Sequence, residues 1–244
     1  MKNFIFIVCL VLVYAGCSKN DGSGSSNSSD KLATGASAHD FLSGEVYTTV
    51  TIQVEYSPGM QPQLQSINNL VSFLQAHLNK ASITVTQSPI GSIGKSTVSI
   101  NDVSSFEDKN RTAFTSGSNM AVCILAVDAD YATTGVAGVA YRNTSIVMLE
   151  KTIEAASGGF DQPSRIKIET TVLEHEFGHL LGLVNNGTAM VTPHEDEAHK
   201  PHCINNNCLM YYDIENSGFM SQLGNAVPQL DDNCVNDLKN NGGK

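Results

Sequence analysis

From residue 46 to residue 56 the chain reads VYTTVTIQVEY, rich in β-branched residues and alternating in polarity, which predicts a strand closed by Pro58-Gly59. The period then changes. Leu64, Ile67, Leu70, Val71, Leu74 and Leu78 recur at helical spacing and predict a helix over residues 61–80. A second strand is expected over 82–86. Residues 98–110 read either way, as a strand end followed by a short helix around 103–109. Residues 120–127, MAVCILAV, form a continuous apolar run of strand length, as expected for a strand covered on both faces. Residues 136–149 read as a further strand or as a hairpin turning at Asn143-Thr144. Pro163 suits the first turn of a helix running from about 164 to 181. Strand, helix, strand, strands, helix is the order of an α/β (α+β) domain, a sheet with helices packed on it. No internal repeat is present.

Ahead of the first strand the pattern is different. Lys2 precedes an apolar run over residues 4–13, too short to span a bilayer, and Tyr14-Ala15-Gly16-Cys17 follows with the small residues that cleavage requires. This stretch resembles a bacterial lipobox. The resemblance implies that residues 1–16 are a signal peptide and that Cys17 is acylated. It also implies a protein lipid-anchored in the cell envelope, at the outer membrane or cell surface rather than the inner membrane. Residues 17–43 are rich in Ser, Gly and Asn and are expected to act as a flexible tether, with the folded domain over 44–244. With 244 residues and 41% hydrophobic content the chain can bury one sizeable core, and it is expected to act as a monomer. Its formal net charge of −10 is the wrong sign for nucleic acid or an anionic membrane surface, so membrane contact is expected only through the lipid anchor.

The chemistry concentrates in the helix over 164–181, which carries His175-Glu176-Phe177-Gly178-His179. Residues four apart share a helix face, so both imidazoles point at one spot and Glu176 beside them can reach a water held there. That is a zinc site with its general base, lacking one protein ligand. Gly182, three residues on, suits a left-handed cap that turns the chain sharply.

The run resembles the metzincin proteases, whose pattern H-E-x-x-H-x-x-G-x-x-H ends on the third ligand. Here that position is Asn185, and an amide is a poor zinc ligand beside imidazole. Further on, His202-Cys203-x4-Cys208-Leu209-Met210 is similar to the archaemetzincin branch, where the third histidine precedes such a stretch. The resemblance implies that His202 is the ligand, delivered twenty residues after Gly182 by an insertion over 183–201, with His199 and then His194 as alternatives. It makes Met210 the methionine of a tight turn beneath the metal. Tyr212, two positions later, has the spacing of a tyrosine that reaches the metal or the developing oxyanion in the astacin and serralysin branches; a role in the core or at the rim is the other reading. It likewise implies a twisted mixed sheet, an edge strand near 137–141 along which an extended peptide lies, and a closing helix over 227–238.

Cysteine usage departs from that branch. The C-x-x-C pair that completes a second, structural zinc site is reduced to Cys234, so a second zinc is not expected. Cys203 and Cys208 can bridge, or either can pair with Cys234, and Cys123 is expected as a buried thiol. The implied activity is a zinc-dependent endopeptidase acting on protein or peptide. Two other readings remain: a zinc hydrolase of the gluzincin type completed by Glu195 or Glu197, and a non-catalytic surface protein that keeps a zinc-helix scaffold for binding.

Overall fold

The computed structural model describes residues 28–220, 223–224 and 226–244; the expected signal peptide and Cys17 lie outside them. In chain order the elements are α1 (Ala38–Leu42), β1 (Thr49–Tyr56), α2 (Leu64–His77), β2 (Ser82–Pro89), β3 (Thr97–Val98), α3 (Ile100–Asn110), β4 (Asn119–Val127) and β5 (Asp130–Tyr131). They continue with β6 (Gly138–Arg142), β7 (Ser145–Leu149), α4 (Glu150–Ala155), α5 (Arg165–Leu180), α6 (Ser217–Met220) and α7 (Asp232–Asn240). The main sheet has the order β2-β1-β4-β7-β6. Its first four strands run parallel, and β6 closes one edge antiparallel to β7. The hairpin reading of residues 136–149 is therefore the correct one. Small strands β3 and β5 pair separately.

Burial explains the unbroken apolar run of β4. Met120, Val122, Ile124 and Ala126 face a core shared with Ile67 and Leu70 of α2 and Val172, Leu173 and Phe177 of α5. Cys123, Leu125 and Val127 face a second core with Val98 and with Val103 of α3. Helices thus cover both faces of the sheet, as parallel strands require. The ambiguous segment resolves as α3 because Ser99 and Asp102 form a reciprocal cap, each side chain accepting from the other's backbone N–H. The closing helix starts later than residue 227, where Asp231 caps it by accepting from Cys234 N at 3.0 Å.

The tether expected through residue 43 ends much earlier. Asp30 is buried and accepts from Thr115 N at 3.0 Å and Thr115 Oγ1 at 2.6 Å. Phe41 and Leu42 of α1 are fully buried in the larger core, and Phe41 meets Phe177 of α5 edge to face. The folded body therefore includes residues 28–43, despite their polar composition.

Candidate metal centre

Helix α5 is capped by Ser164, whose hydroxyl accepts from Lys167 N at 3.3 Å, and every residue from Ile168 to Leu180 is buried. Edge strand β6 lies directly on it. A β-carbon at Gly138 would stand 2.5 Å from Val172 Cγ1 and 3.0 Å from Glu176 Cγ and Oε1, so only glycine permits this approach. Two residues on, Ala140 N donates to Glu176 Oε2 at 2.7 Å, tying the strand to the carboxylate. Gly138→Ala is accordingly expected to lower the stability of the protein by about 1–3 kcal/mol, with activity falling as β6 is pushed outward. Chemical denaturation beside a peptide-cleavage assay checks this, and an unchanged protein contradicts the packing.

His175 and His179 bring their Nε2 atoms to 3.1 Å from each other. The third member of the group is His202, its ring centroid 5.4 Å from that of His175 and 5.0 Å from that of His179. Ligand atoms of all three lie within 4.8 Å of one another, and all three residues are buried. His175 Nδ1 donates to Leu209 O at 2.7 Å and His202 Nδ1 to His199 O at 2.8 Å, which leaves Nε2 of each for a metal. Two imidazole nitrogens on a tetrahedral zinc are about 3.3 Å apart at ordinary bond lengths of about 2.0 Å, so the donor set fits that ion.

The insertion returns His202 by a definite route. Gly182 takes φ +70°, and a β-carbon there would stand 2.7 Å from both Ala38 Cβ and Thr188 N, so the chain turns tightly against α1. The segment comes back as a short antiparallel ladder: Ile204 N donates to His194 O at 2.9 Å and Asp196 N to His202 O at 2.7 Å. Asn185, the position of the third ligand in the shorter metzincin pattern, is exposed and lies outside the group.

The other candidates fall elsewhere. His199 stacks its ring on Tyr212, centroids 3.7 Å apart, and holds Asp196 at 2.8 Å. Glu195 and Glu197 both pair with Lys200, so neither completes the centre. Tyr212 opens a 3-10 turn beyond Met210, and its phenol is pushed up to about 12, chiefly by a hydrogen bond with Tyr211, which keeps it a neutral donor. Met210 is fully buried beneath α5. Its Sδ occupies the space a β-carbon at Gly178 would need, 2.2 Å away, so the glycine inside the HEFGH run makes room for the methionine.

A second group of metal-ligating side chains stands behind the first: His194, Cys203, Asp231 and Cys234 have ligand atoms within 4.8 Å of one another. Cys208 joins it, with Sγ 3.6 Å from Cys234 Sγ. Hydrogen bonds from Cys203 and Cys234 hold the Cys208 thiol well below the usual range. Two expectations change here. The bridge between Cys203 and Cys208 is not formed, all four described cysteines being free thiols. His194, a candidate for the first centre, is seated in this group instead.

No protein-family model matches the sequence, and no curated protein does. Solved structures do resemble the fold. Metalloproteinase-II from Bacteroides fragilis aligns over 83% of this chain and 60% of its own, with 15% identity and a TM-score of 0.45. Archaemetzincin from Methanopyrus kandleri aligns over 80% of this chain and 96% of its own, with 15% identity and a TM-score of 0.52, and it is this fold, a mostly parallel sheet with helices packed on it, that the present chain shares.

Proposed function

We propose that the protein is a zinc-dependent endopeptidase in which His175, His179 and His202 hold the metal and Glu176 is the general base. The carrying observation is the convergence of three buried imidazoles beside a buried carboxylate. A zinc ion held by these three imidazoles would supply Lewis-acid activation of water and of the scissile carbonyl. Glu176, its Oε2 oriented by Ala140 N, would be the group that accepts a proton beside the metal and returns it to the leaving amine. The Tyr212 phenol, a neutral donor on the rim, is placed to stabilise charge on the carbonyl oxygen.

Strand β6 supports a peptide substrate. It is the outer strand of the sheet and borders α5, where an extended peptide can add as a further strand. At Ala140 its N–H serves Glu176 and its carbonyl accepts from Thr34, so the peptide is expected at the Gly138 end. There Thr134, Gly135, Val136, Tyr212 and Asn216 line a cavity of about 170 Å³ suited to a side chain. The lipobox reading adds an envelope anchor through Cys17.

Incubation of the full chain with an unfolded protein substrate tests the reading. New termini should appear in mass spectra, vanish with a chelator and return with added zinc. A metal-loaded protein that cleaves nothing in a broad peptide library overturns it.

A further inference from the structure

We infer that residues 29–37 act as a strap that sets the length of peptide the site accepts: by holding Ala140 O they confine strand pairing on β6 to Gly138, so the protein acts on short peptides in preference to long extended chains. The inference rests on the peptidase reading above and adds the substrate class to it.

Along an antiparallel edge, successive residues turn their backbone groups to opposite sides. Leu149 N donates to Ala137 O at 2.8 Å, so residues 137 and 139 face β7 while 136, 138 and 140 face outward. Two of these outward positions are already occupied. Ala140 N donates to Glu176 Oε2 at 2.7 Å, and Ala140 O accepts from Thr34 Oγ1 at 3.2 Å. At the other end Val136 bridges to Asn216, and Ser217 N donates to Gly135 O at 2.8 Å. The chain that follows the methionine turn thus lies where an added strand would continue. Among residues 135–140 this leaves Gly138 as the outward position with both N–H and C=O open. A peptide residue beside it can exchange two bonds with Gly138 and meets no further open ladder on either side.

The strap is fastened along its whole length. Asn143, buried at the turn between β6 and β7, accepts from Ser37 N at 2.9 Å through Oδ1 and donates from Nδ2 to Ser37 Oγ at 2.8 Å and to Ser29 O at 3.0 Å. Its backbone N–H donates to Leu32 O at 2.9 Å, and Asp30 is anchored by Thr115. On its far side the strap abuts the turn after α5, where a β-carbon at Gly35 would collide with Asn186 O. Thr34 is therefore presented to Ala140 by a segment held on both sides of it. A long chain adding along β6 would have to displace bonds already made, which is how a covered sheet edge resists extension.

The test is steady-state kinetics of the zinc-loaded full chain on a nested series of peptides, lengthened one residue at a time on each side of a mapped cleavage site. For wild type, kcat/KM should level off once a peptide covers the residue beside Gly138 and its immediate neighbours. Thr34→Ala, which frees Ala140 O, should raise kcat/KM by about 2- to 10-fold, the worth of one net hydrogen bond, for peptides long enough to reach Ala140, and by less for shorter ones. Thr34→Ser keeps the hydroxyl and should reproduce the wild-type profile, which separates a freed acceptor from a loosened strap. A wild-type kcat/KM that keeps climbing with length, or a Thr34→Ala profile superimposable on wild type, overturns the strap and leaves the peptidase reading standing. A chain that cleaves no peptide overturns both.

Discussion

Glu176→Gln is expected to lower peptide hydrolysis by about 10²–10⁴-fold, the contribution of a positioned general base. Zinc content should stay at the wild-type level. The substitution is chosen because the amide oxygen can still accept from Ala140 N, as Oε2 does at 2.7 Å, so strand β6 and helix α5 keep their approach. What is lost is the ability to take a proton. A fall in that range corresponds to about 3–5 kcal/mol of transition-state stabilisation. Steady-state kinetics on a mapped cleavage site, with metal analysis of the same sample, decide the matter. Activity within a few-fold of wild type removes Glu176 from the chemistry and favours a non-catalytic scaffold.

The second large effect is at the third ligand. His202→Ala should release the metal of the first centre and reduce hydrolysis by more than the 10–100-fold that loss of an orienting partner alone costs. His199→Ala is the control. Its ring touches Tyr212, but only its backbone carbonyl serves His202, so zinc should remain. The ladder that delivers His202 is made of backbone bonds between residues 194–196 and 202–204, and it survives either change. Equal metal loss in both variants would mean that the insertion folds around the metal in a different way.

Local signals in the sequence carried much of this. The change of hydrophobic period marked β1 and α2, the unbroken apolar run marked β4, and the four-residue spacing of His175 and His179 marked the face of α5 on which the two imidazoles meet. Those readings succeed because helix and strand periods act over a few residues. His202 was reached through resemblance, by the Cys-x4-Cys-x-Met stretch that follows it, since nothing local says where a twenty-residue excursion returns. Tertiary pairing was illegible. Asp30 sits in a Ser- and Asn-rich run, and its buried carboxylate is satisfied by Thr115, Thr144 and Arg111, all far along the chain. The Phe41-Leu42 pair was the one apolar hint that the folded body starts before residue 44.

His194 shows the same limit more sharply. The sequence offered it only as the last choice for the third ligand, and Asp237, forty-three residues away, holds its ring beside Cys203 instead. Counting cysteines alone suggested a disulfide, whereas the four described cysteines are free thiols. The glycines carried a signal that could have been used. Gly178 lies inside the five-residue motif because Met210 fills the space beside it, and Gly138 marks the point where β6 rests on α5.

The most direct measurement is anomalous diffraction at the zinc absorption edge from crystals of the zinc-loaded chain. The account predicts an anomalous peak within bonding distance of Nε2 of His175, His179 and His202, beside the Glu176 carboxylate. A peak there bound by another side chain in place of His202, or no peak at the three imidazoles, would contradict it.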